Sequence, residues 1–320
     1  MSIQSTNSQS SSSAFQTRLP QGAFDTHVHV FDPRLGPYAA GRAYTPEDAP
    51  LQELLAFNNA ISGANNTTLV LVQPSPYKTD CTVLMQCLRE LRDREIPAFG
   101  IAVIDISRVT DQELQAMHDL GIRGIRLNFQ ADGHRVDVAS LKDRVRHAAE
   151  RIQHLPGWMI QMFIPVSAWD VLYDCILELP VPIIADHLGG TAGPSKLPVE
   201  LRSKPMAQPG LGSLLSLARQ ARVIIKISGL YRMSSETSSN YGDLQSIVKM
   251  LASEVPDQLI WGSDWPHTGE GHDRVGKTVD VKEPFREIDN QGVLRNLSAW
   301  MGPGAWQKMM VENPRRVYQG

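Results

Sequence analysis

Beyond residue 17 the chain alternates between short unbroken apolar runs and longer stretches whose apolar positions recur at helical spacing. The runs are Ala23–Val30, Thr67–Val72, Ala98–Val103, Ile122–Asn128, Trp158–Ile164, Val181–Ala185, Val223–Ser228 and Gln258–Gly262. Continuous rather than alternating apolarity predicts strands covered on both faces, as in a parallel sheet. Between them, Pro46–Ala60, Asp80–Arg94, Asp111–Leu120, Leu141–His154, Ser167–Glu178, Leu211–Ala221 and Tyr241–Ser253 read as helices. Eight strands alternating with helices predict an α/β fold, a closed (β/α)8 TIM barrel. An open doubly wound sheet would want a glycine-rich turn after its first strand, and FDTHVHVFDP is not one. Three excursions rich in Gly and Pro, Asp32–Asp48, Gly189–Pro209 and His267–Pro284, follow strands. In a barrel they lie on the C-terminal rim, where substrate loops sit.

Composition narrows the class. The chain has 320 residues, 42% hydrophobic and 20% charged, enough for a large core without staples. Residues 1–17 are rich in Ser, Gln and Asn and predict a disordered tail, leaving residues 18–320 as a single barrel hydrolase domain. The net charge of −3 offers no basic field for nucleic acid. No apolar run reaches membrane-spanning length, and the start MSIQSTNSQSSSSAF has no secretory pattern. Cys81, Cys87 and Cys175 are too few and unpatterned for a disulfide framework, which fits a reducing, cytoplasmic location. Monomer and homo-oligomer both stay open.

The chemistry gathers at strand ends. His27 and His29 share one side of the first strand, where two imidazoles can hold a cation or a substrate oxygen. The second strand runs into Gln73-Pro-Ser75-Pro-Tyr77. The fourth places Arg126 and Asn128 on one face, and the fifth carries Gln161. The sixth ends in Asp186 and His187. The seventh carries Lys226 and Ser228, with Arg232 beyond, and the eighth ends in Asp264, Trp265 and His267. A charge at an apolar strand end is costly unless paired or used, so this many on successive strands point to one working mouth. Lys226 and Asp186 are the members that a structural role explains best, each as a prop behind the site or as a member of an internal ion pair.

DTHVHVFDP, QPSPYKTD, GIRLNF, ADHLGG, IKISGLYR, GSDWPHT and ENPRRVY, one motif per strand over about residues 22–318, resemble the amidohydrolase superfamily. They are most similar to its lactonase branch, typified by 2-pyrone-4,6-dicarboxylate lactonase. The resemblance implies water attack on a lactone or ester carbonyl, with His27, His29, His187 and Asp264 as catalytic residues. It implies Arg126 as the anchor of a substrate carboxylate and Ser75 as a polar contact. Tyr77, Asn128, Gln161, Arg232 and His267 are further expected substrate contacts.

The chain also departs from that branch. A second basic residue expected shortly after Arg126 is replaced by Asn128-Phe-Gln130-Ala-Asp132, so a dicarboxylate would lose part of its clamp. Tyr77, Tyr231, Trp265 and Phe129 suggest a more aromatic ligand. Asp264 is the expected base, its pKa raised by burial unless a neighbouring cation opposes the rise. His27, His29 and Asp264 suit a single divalent ion, zinc if one is present, with His187 as a possible fourth ligand. Asn128 and Gln161 stand where binuclear relatives carry a bridging lysine or glutamate, which leaves none or one ion. The partner expected is a small carboxylated or aromatic-like metabolite. Non-oxidative decarboxylation and lactone isomerisation are the alternatives on the same scaffold. A non-enzymatic binding protein would have lost a key His or Asp, and none is lost.

Overall fold

The apolar runs form eight strands: β1 (Phe24–Val28), β2 (Thr68–Val72), β3 (Ala98–Ala102), β4 (Ile122–Asn128), β5 (Met159–Phe163), β6 (Ile183–Ala185), β7 (Val223–Ile227) and β8 (Leu259–Trp261). They pair in parallel, each with the next in sequence. The structure is a computed structural model, described over residues 18–63, 67–128, 138–274 and 276–320. The expected Ser-rich tail over residues 1–17 lies outside the described residues.

Closure occurs just past the end of β8. The Thr26 hydroxyl donates to Trp261 O at 2.7 Å. Asp264 N donates to His27 O, and His29 N to Trp265 O, both at 2.9 Å. The eighth strand thus returns to the first, and the sheet becomes the expected (β/α)8 barrel. Gly262 permits the approach, because a Cβ there would lie 2.5 Å from His27 Cβ and 2.7 Å from His27 N.

A register shift between Asp25 and Val28 reshapes β1. Strict alternation would put Phe24 and His27 on opposite faces. Phe24 instead packs in the barrel interior with Val70, Ile184, Ile224 and Ile260, and His27 is grouped with the inward Asp186, His187 and Asp264. A bulge is the standard way to re-aim a side chain beside a site. Tyr318, from the C-terminal motif, joins that interior cluster and stacks on Phe24 and Phe99. Asn313 ties the same segment to the eighth strand, donating to Pro256 O at 2.8 Å and Leu259 O at 2.7 Å.

Helices α1 (Leu51–Ser62), α2 (Thr82–Asp93), α3 (Asp111–Asp119), α4 (Val138–Ile152), α5 (Ala168–Glu178), α6 (Leu211–Arg219), α7 (Gln245–Glu254) and α8 (Asn290–Gln307) accompany the strands. The first starts later than its pattern predicts, because Thr45–Pro46 pairs with Lys282–Glu283 across the rim and Pro50 precedes the first turn. The last was hidden in sequence by Gly302-Pro303-Gly304, where the helix kinks at Gly302 with φ 73°. All three cysteines are buried free thiols. Among the described residues no helix is long and apolar enough to cross a membrane.

Gly262→Ala should therefore force β1 and β8 apart. We expect a loss of about 1–3 kcal/mol, read as a lower denaturant midpoint at unchanged m-value. An unaltered midpoint would mean that the seam has slack.

Candidate active site

His27 in β1 and His29 just beyond its end are each oriented from behind. His29 Nδ1 lies 2.7 Å from Val72 O. A carbonyl only accepts, so Nδ1 carries the proton and Nε2 presents a lone pair. That Nε2 is 3.6 Å from Asp264 Oδ1, and so is His27 Nε2. Burial lowers the pKa of both imidazoles, most strongly at His27, so both stay neutral at neutral pH.

Asp264 ends the eighth strand in a left-handed conformation, φ 64°. Its Oδ2 accepts from Tyr231 OH at 2.7 Å and from Arg232 Nε at 2.8 Å. Its Oδ1 has no hydrogen-bond partner among the described residues and faces the two histidines. The expected rise in its pKa is not found. Burial does push the carboxyl up, but Arg232, then His187 and the His29 contact, hold it well below the usual range.

His187 stands in a left-handed turn after β6, φ 50°. Its Nδ1 meets Ser228 Oγ at 2.9 Å, and its ring lies edge-on to Phe163 with centroids 4.6 Å apart. Burial brings its pKa down to about 4. Gly229 makes room for both groups: a Cβ there would sit 2.6 Å from His187 Nδ1 and 2.8 Å from Asp264 Oδ2. Its φ of 52° also favours glycine.

Beneath the histidines lies a buried polar floor. Arg126 Nε is 3.3 Å from Asp186 Oδ2, and Gln161 Nε2 donates to the same oxygen at 2.9 Å. Gln161 Oε1 accepts from Lys226 Nζ at 2.8 Å. Both ends of the Gln161 amide are thus spent inside the protein, and the residue is fully buried. Lys226 and Asp186, each expected as a prop or an ion-pair member, pair with one another at 3.3 Å.

The remaining expected contacts disperse. Ser75 opens the turn after β2 and hydrogen-bonds the Tyr44 side chain, a partner with no sequence motif to announce it. The Tyr77 hydroxyl accepts from Asp32 N at 2.8 Å, so Tyr77 holds the first rim loop. Arg232 serves Asp264, Tyr231 OH and Thr268 Oγ1. His267 packs edge-on to Phe57 and Tyr231. Trp265 stacks on Phe57. The side chain of Asn128, and Phe129 entirely, lie outside the described residues. The three described aromatics offered as ligand contacts are all engaged in packing or in holding Asp264.

His27 Nε2, His29 Nε2 and Asp264 Oδ1 converge within 4.8 Å. Two of these atoms, His27 Nε2 and Asp264 Oδ1, are buried polar atoms without a hydrogen-bond partner. Two imidazole nitrogens and a carboxylate oxygen facing one another fit a single divalent cation with an open position. A second group, His27, Asp186 and His187, is close enough to count as ligands, but the Lys226 ammonium 3.3 Å from Asp186 opposes a second cation there.

The amidohydrolase family profile matches residues 24–320. A 4-sulfomuconolactone hydrolase from Rhizobium radiobacter is 32% identical over 94% of this chain and 91% of its own length. A 2-pyrone-4,6-dicarboxylate hydrolase from Comamonas testosteroni is 29% identical over 95% of this chain and 92% of its own length. A solved Pseudomonas putida structure bearing the name 2-pyrone-4,6-dicarboxylic acid hydrolase superposes with a TM-score of 0.71 at 26% identity, covering 94% of this chain and 98% of that one.

Titration of metal-free protein with zinc should saturate at no more than one ion per chain, and His29→Ala should weaken that binding. Two ions within about 4 Å of each other in a crystal of active protein would overturn the single-site reading.

Proposed function

The chain belongs to the amidohydrolase family, and we propose that it opens the ring of a small carboxylated lactone by water attack at the strand C-terminal face of the barrel. It is a hydrolase, and the two relatives described above are named as hydrolases of 2-pyrone-4,6-dicarboxylate and 4-sulfomuconolactone. One observation carries the mechanism: Asp264 Oδ1 is free of hydrogen bonds and faces the Nε2 atoms of His27 and His29, each at 3.6 Å.

Asp264 takes the proton of the attacking water on Oδ1, since Oδ2 is occupied by Tyr231 and Arg232. These two donors fix the carboxylate, so no reorganisation is needed at the moment of reaction. With Ser228 Oγ donating to His187 Nδ1, the neutral His187 offers its Nε2 hydrogen as a hydrogen bond to the leaving oxygen of the ring, and the proton that Asp264 took from water passes to that oxygen. Arg126 binds the substrate carboxylate with the part of its guanidinium not turned to Asp186. A divalent ion held by His27, His29 and Asp264 would polarise the carbonyl and acidify the water.

Arg126→Met should raise KM roughly tenfold or more on 2-pyrone-4,6-dicarboxylate, the loss of a charge-assisted hydrogen bond, and should change it little on neutral 2-pyrone. Equal loss on both would make Arg126 a structural partner of Asp186. Asp264→Asn keeps the shape and removes the basic oxygen. Its kcat should fall by about 10² to 10⁴, with circular dichroism showing a folded barrel. A folded Asn variant of near-normal kcat would take Asp264 out of the proton transfer.

A further inference from the structure

Lys226 has no part in the steps above, although it is fully buried beneath the histidines. Its ammonium donates to Thr26 O at 2.9 Å and to Gln161 Oε1 at 2.8 Å. The third hydrogen meets His27 Nδ1 in hydrogen-bond geometry at 3.3 Å, while Asp186 Oδ1, equally distant, is ion-paired to the ammonium and has no hydrogen-bond partner of its own among the described residues. Asp186 Oδ1 in turn lies 3.4 Å from His27 Nδ1.

This triangle decides where the one proton of neutral His27 resides. An ammonium only donates and a carboxylate only accepts, whereas the imidazole nitrogen does either. With the proton on Nε2, Nδ1 accepts from Lys226 and Asp186 Oδ1 goes without a donor, a costly state for a buried carboxylate oxygen. With the proton on Nδ1, Oδ1 faces two donors, His27 and Lys226. A charged acceptor also outcompetes a neutral one. The second arrangement wins, and it leaves the Nε2 lone pair beside Asp264 Oδ1 and His29 Nε2.

We propose that Lys226 is a positioning residue: it pins Asp186 under His27, holding the His27 proton on Nδ1 and its lone pair on Nε2, toward the reaction. Gln161 completes the device, since its amide bridges Lys226 to Asp186 Oδ2. Stability alone gives little reason for this pair, because replacing a buried ion pair by well-packed apolar residues is often neutral or favourable. The inference rests on the reading of the site given above.

The test is the tautomer of His27, seen by long-range proton–nitrogen NMR correlation in the full-length protein and assigned by its loss in His27→Gln. The wild type should show a protonated Nδ1 and a bare Nε2. The opposite pattern overturns the proposal. Lys226→Met should shift His27 toward the Nε2-protonated form and lower kcat on 2-pyrone-4,6-dicarboxylate by about 10- to 100-fold, with KM held within about threefold. The double variant Lys226→Met with Asp186→Asn removes both charges together, so that neither is stranded, and should show the same split. A folded variant with wild-type kcat, or with an unchanged His27 tautomer, makes Lys226 a structural ion-pair member and overturns the proposal. Failure of the wild type to open any lactone would count against the hydrolytic reading, whereas the tautomer is read without turnover.

Discussion

The seam between β1 and β8 holds the site together. Both inward histidines leave one side of it, and the aspartate they face leaves the other. The hydrogen bond from Asp264 N to His27 O is therefore a strand pairing and a site dimension at once. Gly262 sets how close the two backbones come, and the register shift in β1 sets which way His27 turns. A small change in either would move an acceptor relative to its neighbours by a sizeable part of the 3.6 Å that separates them. Precision in such a site comes from strands rather than loops, because strand positions are over-determined by their ladders.

Much of this arrangement is legible in the residues. Eight apolar runs specify eight strands, and a polar residue at the end of a run marks which strand reaches the mouth. His27, His29, His187 and Asp264 are visible in this way and do lie together. Their partners are less visible. Gln161 looks like a ligand contact because it is polar on an apolar strand, yet its amide is consumed by Lys226 and Asp186. Tyr77 and Trp265 look like an aromatic lining, yet one braces Asp32 and the other stacks on Phe57. Sequence shows which faces share an interior. It does not show which of several polar neighbours a side chain selects, because that choice depends on separations of a few ångströms across different strands. Helix α8 was concealed for a different reason, since its Gly302-Pro303-Gly304 sequence reads as a break.

The two buried carboxylates show how environment divides labour. Asp186 and Asp264 end neighbouring parts of the same mouth, and both are held ionised against burial by cations. Asp186 is surrounded from below by Lys226, Gln161 and Arg126. Asp264 is held along one edge by Tyr231 and Arg232 and keeps the other edge bare. The low pKa that results makes Asp264 a weaker base than a carboxyl raised by burial alone would be. It also keeps the group charged at any working pH, as proton acceptance or cation binding requires.

Neutral imidazoles complete that logic. A charged histidine beside Asp264 would neutralise it and occupy its free oxygen. Burial prevents this by disfavouring the imidazolium, so His27 and His29 stay neutral, each with one unshared nitrogen pair. The cost of burying these unshared acceptors is met by the surrounding structure: the seam that fixes their backbones, the Val72 carbonyl behind His29, and the ion-paired floor behind His27. Such a site is poised to receive what the protein itself withholds, a water with protons to give or a cation with positions to fill. The strained, desolvated geometry is thus a property of the fold before any substrate arrives, while the identity of the lactone is left to the rim loops and to Arg126.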